Sequence, residues 1–122
     1  MKNHEKSLFT QTVLKILKVT IFLSEDGIPR VSIKLHPSVD AISLIQGVIL
    51  KFSNDNEVIL EAGIATLLHK AMLSLSEAMY EAKEKCIFTI PLEKKIPIMD
   101  STTIKIYMVD NGRVVSKKFE FQ

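Results

Sequence analysis

Cysteine, glycine and proline are all scarce in this chain: one, four and four residues among 122. The lone Cys86 excludes an internal disulfide framework and a zinc site built on cysteine pairs, and it fits a reducing compartment. The glycines are dispersed, so no phosphate-cradling loop is present, and neither are a Gly-x-Ser-x-Gly elbow and a His-Glu-x-x-His pair. Charge of one sign is also lacking. A formal net charge of +2 argues against a dedicated nucleic-acid binder while leaving room for a local basic patch. No apolar run is long enough to span a bilayer. The basic start Met1-Lys2-Asn3-His4-Glu5-Lys6 leads into a segment broken by Thr10, Gln11, Thr12, Lys15 and Lys18. That is not a secretory h-region, and the expectation is a cytoplasmic protein with no membrane contact.

What is present is ordinary globular material, 47% apolar and 25% charged, enough for one domain over residues 1–122 with residues 1–7 as a flexible tail. The chain is organised around Ile64 to Lys85. On a helical wheel Ile64, Leu67, Leu68, Ala71, Met72, Leu75, Ala78, Met79 and Ala82 fall within an arc of roughly 140°. The pairs Leu67–Leu68, Ala71–Met72 and Ala78–Met79 exclude a strand. Good helix formers and the absence of proline predict one helix about 33 Å long. Leu75, mid-stripe, reads as a core position. On the opposite face His69, Leu73, Ser76 and Tyr80 fall within about 60° of one another. They form a second, modest apolar line, covered by the protein's own chain, exposed, or used for a partner or a second copy.

The flanking segments alternate with period two and read as strands. Val13–Leu23 reads as one long strand, Ser24–Pro29 turns at Gly27, and Val31, Ile33 and Leu35 line the return until Pro37 stops it. Residues 38–46 read as a helical turn or a loop, with Ser38 as a possible cap and Gly47 at the far end. Val48, Leu50 and Phe52 begin a second hairpin that turns at Asn54-Asp55-Asn56 and returns through Val58 and Leu60. After the helix, Cys86–Leu92 reads as a strand covered on both faces. A third hairpin turns at Asn111-Gly112, the strongest such signal in the chain. The predicted fold is α+β: a mostly antiparallel curved sheet or partly open barrel built from hairpins, packed on one long central helix.

Val48 to Leu60, read as Val-Ile-Leu-Lys-Phe-Ser-Asn-Asp-Asn-Glu-Val-Ile-Leu, resembles the hairpin of small β-rich domains of unknown function common in Bacteroidetes proteins. The spacing of Leu92, Ile96, Met99, Ile104 and Ile106 is similar to the segment that leads into the final strand of such domains. Asn56 stands where those hairpins often have Gly, and the helix between the two pieces is longer than their usual connection. The resemblance implies a non-enzymatic module and carries over no catalytic residue, metal or cofactor.

The residues offer little chemistry of their own. Cys86 and His69 are the one thiol and base pair to weigh, but the wheel sets them on different faces, and a buried inert thiol is the plainer reading. His4, His36 and His69 lack ligand spacing. Asp55-Asn56-Glu57 lacks the alternation and closing Glu of a calcium loop. On the last strand Arg113, Lys117 and Lys118 stand beside Phe119 and Phe121. Lys117, Phe119 and Phe121 share one face, either as a single-strand-binding surface or as core aromatics with a lysine at their edge. The leading expectation is an interaction module acting by self-association or on a protein partner through His69, Leu73, Ser76 and Tyr80. A nucleic-acid-associated protein and an enzyme with an unrecognised site are the alternatives.

Overall fold

The computed structural model describes residues 12–23 and 25–120. The expected tail 1–7, His4, Ser24 of the first turn and Phe121 lie outside the described residues. The expected hairpins form, and they assort into two antiparallel sheets. Strands β1 (Ile16–Leu23), β2 (Pro29–Leu35) and β5 (Ile87–Pro91) make a three-stranded sheet in the order β1-β2-β5. Strands β3 (Ile49–Asn54), β4 (Glu57–Gly63), β6 (Thr103–Asp110) and β7 (Arg113–Glu120) make a four-stranded sheet in the order β4-β3-β6-β7. The described residues form no closed barrel. The sheets approach at β1 and β7, where the Lys117 ammonium donates to the Ile16 carbonyl at 2.8 Å.

Turn chemistry sets the hairpins. Asp55 and Asn56 (φ 49° and 69°) and Asn111 and Gly112 (φ 51° and 77°) occupy successive left-handed positions. That is the two-residue turn whose twist matches a β-ribbon, and Asn tolerates it nearly as Gly does. The first strand differs from expectation in start and phase. Thr12–Leu14 are helical, and a bulge between Ile16 and Lys18 leaves Leu17 without a partner. Ile16 and Val19 therefore both face the core while Leu17 is turned out, because one extra residue shifts every later side chain to the other face.

Helix α1 (Ala41–Gly47) settles the uncertain stretch after Pro37. Its N-cap is Asp40 rather than Ser38, and the Ser43 hydroxyl donates to the Asp40 carboxylate at 2.6 Å. Ser38 instead meets His36 Nδ1 through both its hydroxyl (2.8 Å) and its N–H (3.1 Å). Gly47 ends the helix in helical geometry, and Val48 already runs extended.

The single central helix does not form. The segment is two helices, α2 (Ile64–Lys70) and α3 (Leu75–Lys85), separated at Ala71–Ser74. The stop is local. Met72 adopts φ 57°, its N–H donates to the His69 carbonyl (3.0 Å), and the Leu73 N–H donates to the Leu68 carbonyl (2.9 Å). This pair of bonds is the left-handed termination normally built with glycine. The restart is local too. Ser74 caps α3, its hydroxyl accepting from the Glu77 N–H at 3.4 Å, and Ser74-x-x-Glu77 is the sequence signature of a helix start. Apolar spacing favoured continuity and capping favoured a break, and capping decides the outcome.

The break reassigns the stripe. Ile64, Leu67, Leu68 and Ala82 stay in the core, whereas Met72 is 92% exposed and Leu75 52% exposed. Leu75 is therefore not a core position. The core runs between the two sheets through Ile33, Phe52, Phe88, Ile90 and Ile106, with Leu44 and Leu68 from the helices. Because Met72 buries almost nothing yet holds a left-handed backbone, Met72→Gly should stabilise the fold by about 0.5–1 kcal/mol, the relief of the Cβ clash less the added freedom of the unfolded chain. Urea unfolding checks this, and a lower midpoint would show that the Met72 side chain holds the break together.

Candidate functional site

Helix α3 packs on β5 and on α1, and the α2–α3 break lies beside two open grooves. One, of about 210 Å³, is lined by Leu68, Leu73, Glu77, Ala78 and Phe88 among others. The other, of about 490 Å³, is lined by Leu60, Leu67, Lys70, Leu92 and Ile96 among others. Arg30 and Pro91 line both. Arg30 is held to Asp26 through two hydrogen bonds (3.1 and 3.3 Å), which keep its guanidinium above its already high ordinary pKa.

All four residues of the expected helix face are exposed: His69, Leu73, Ser76 and Tyr80. They do not form one straight line. His69 rides on α2, Leu73 lies in the break, and Ser76 and Tyr80 sit one turn apart on α3. The break adds Met72 and Leu75, which the wheel had assigned to the core. The exposed apolar residues of this segment are thus Met72, Leu73 and Leu75 at the break and Tyr80 in the middle of α3.

Cys86 and His69 sit on different elements, His69 in the last turn of α2 and Cys86 at the end of α3. Cys86 ends α3 in a left-handed turn (φ 56°) and its carbonyl accepts from the Leu35 N–H at 2.8 Å, so the residue joins α3 to the first sheet. It is half-buried rather than fully enclosed. Among the described residues no three of His, Cys, Asp or Glu come close enough to hold a metal ion, and no helix is long and apolar enough to cross a membrane.

The basic cluster expected on the last strand divides between two faces. Lys117 and Phe119 do share a face, with the ammonium 5.2 Å from the ring centroid. Phe119 packs against the core, and the ammonium is spent on the Ile16 carbonyl. Lys117 is therefore an edge lysine over a core aromatic. Arg113 lies beside the hairpin turn, opposite Asp110 in the backbone register. Lys118 points the opposite way from Lys117, and the ladder pairs it with Lys105, which is paired in turn with Lys51. Lys51, Lys105 and Lys118 line a shallow depression of about 450 Å³ with Ser53, Thr103 and Ser116.

Sequence reading missed Lys51 and Lys105. Each occupies the outward phase of its strand, which was legible. The pairing of β3 with β6, which brings them together, was not. Beside them Tyr107 donates to the Glu61 carboxylate at 2.6 Å. That bond raises the phenol above its ordinary pKa, followed by desolvation and the carboxylate's charge. Its contribution to stability is present below the ordinary phenol range and fades as pH rises through the raised value.

No family model, curated protein or solved structure matches this chain.

Proposed function

We propose that the protein is a non-catalytic interaction module that works by self-association, through the surface formed where α2 meets α3. The observation that carries this reading is the exposed apolar set at the break. Met72 is 92%, Tyr80 63%, Leu75 52% and Leu73 37% exposed. Large exposed apolar side chains grouped along one segment are a mark of a contact site, and Met and Tyr are enriched at the centres of interfaces. The position of Met72 adds weight, because a left-handed helix stop is most cheaply made with glycine. Here that position presents a long adaptable side chain to solvent instead. The resemblance of Val48–Leu60 to small β-rich domains without assigned catalytic residues points the same way. We take the working compartment to be the cytoplasm, in keeping with a single free thiol.

A two-fold pair would lay the Tyr80 of one copy near the Leu73 of the other, in a contact using the same patch twice. Stable pairing needs more than about 1,000 Å² in total, so the apolar walls of the adjoining grooves must take part. Sedimentation equilibrium tests this. The wild type should associate in the micromolar range, and the Leu73→Glu, Tyr80→Glu double variant should stay monomeric with an unchanged melting temperature. A wild type that is monomeric at high micromolar concentration removes the self-association reading.

A further inference from the structure

We infer that the outer face of the four-stranded sheet binds single-stranded nucleic acid, with Lys51, Lys105 and Lys118 as its phosphate-contacting row. The inference is independent of the α2–α3 surface and rests on register. Lys51 stands directly opposite Lys105, and Lys105 directly opposite Lys118, so three ammonium-bearing side chains occupy one line across β3, β6 and β7. Like charges directly opposite one another destabilise a sheet. Among the described residues none of the three forms an ion pair within salt-bridge distance. Glu61 stands opposite Lys51 at one end of the row, and one oxygen of its carboxylate accepts from the Tyr107 hydroxyl. The row repels itself across both ladders, and a polyanion laid along it would relieve the repulsion.

The surroundings fit a phosphodiester strand. Ser53, Thr103 and Ser116 line the same depression and can donate to phosphate oxygens, as lysine does. Tyr107 supplies an aromatic ring 5.9 Å from the Lys105 ammonium, on the same face and only half-buried, where a base can stack. Geometry favours one strand over two. The row spans two inter-strand steps, about 10 Å, and lies on a sheet face rather than on a helix that could enter a major groove about 12 Å wide. Successive phosphates of a single flexible strand can follow such a row.

The test is fluorescence anisotropy of a labelled oligothymidine titrated with the full chain at several salt concentrations. Vesicles rich in phosphatidylserine and inorganic tripolyphosphate serve as separate arms. Binding is expected at low salt, with a log–log salt slope of about −2, from about −0.7 for each of three phosphate contacts on a single strand. The triple variant Lys51→Gln, Lys105→Gln, Lys118→Gln should weaken binding at least about tenfold and flatten the slope. Its melting temperature should equal or exceed that of the wild type, because the repulsion is gone. The control pair Lys83→Gln, Lys85→Gln on α3 should bind as the wild type does. Absence of a low-salt shift overturns the proposal. So does equal weakening by the control pair, or capture of vesicles or tripolyphosphate without capture of the oligonucleotide.

Discussion

Phe52→Ala is expected to destabilise the protein by about 3–5 kcal/mol, the range for removing a fully buried ring. Phe52 has no exposed surface and lies on β3, which is paired on both sides, with Leu60 on β4 and Ile104 on β6 as its direct neighbours. Truncation loses the transfer free energy of the ring and leaves a cavity that strands hydrogen-bonded on both sides cannot collapse to fill. Against a total stability of about 5–15 kcal/mol for a typical domain, roughly a fifth or more would be lost. The melting temperature should fall on the order of 10–20 °C. Phe52→Leu keeps much of the apolar volume and should recover a large part of the deficit. A Phe52→Ala variant that melts within a few degrees of wild type would show that β3 does not run through the centre of the core.

The second large effect separates the two halves of what reads as one helix. Leu68→Ala should cost about 2–5 kcal/mol, since its side chain is fully enclosed, as its 1% exposure records. Leu75→Ala should cost less than about 1 kcal/mol, because half of that side chain already meets water. An unbroken helix would make the two comparable, as both belong to one wheel stripe. Chemical denaturation of both variants gives the comparison directly. A Leu75→Ala cost equal to that of Leu68→Ala would restore the continuous helix and retract the exposed surface at Met72–Leu75.

The contrast shows where sequence reading succeeds and where it stops. The turns at Gly27, Asp55-Asn56 and Asn111-Gly112 were legible because the residues themselves determine the backbone there. The strands around Val31, Leu50 and Ile104 were legible because alternation is a local property. The α2–α3 break was legible in principle, in Ser74-x-x-Glu77. It was outvoted because its stop uses Met72 where a glycine would have announced it. The bulge at Leu17 left no sign in a run of residues that alternate either way. The lysine row was half visible: each lysine's phase could be read from its own strand, but no local rule pairs β3 with β6 or places β5 beside β2. Lys117 and Lys118, adjacent in sequence, end on opposite faces because strand side chains alternate, and the hairpin register gives them different partners.

That same pairing governs how the chain reaches its native state. Each sheet joins one early hairpin to strands that arrive much later: β5 completes the sheet begun by β1 and β2, and β6 and β7 complete the one begun by β3 and β4. The two sheets are therefore interleaved along the polypeptide. While the chain emerges from a ribosome, the first hairpins wait with their eventual partner strands unmade, presenting β2 and β3 as open edges ready to pair with another chain. A fragment ending near Lys85 would retain both open edges and α1, α2 and α3 yet close neither sheet. Such a fragment should aggregate rather than fold, and loop-closure entropy across these long separations should make the intact chain a slow folder for its size.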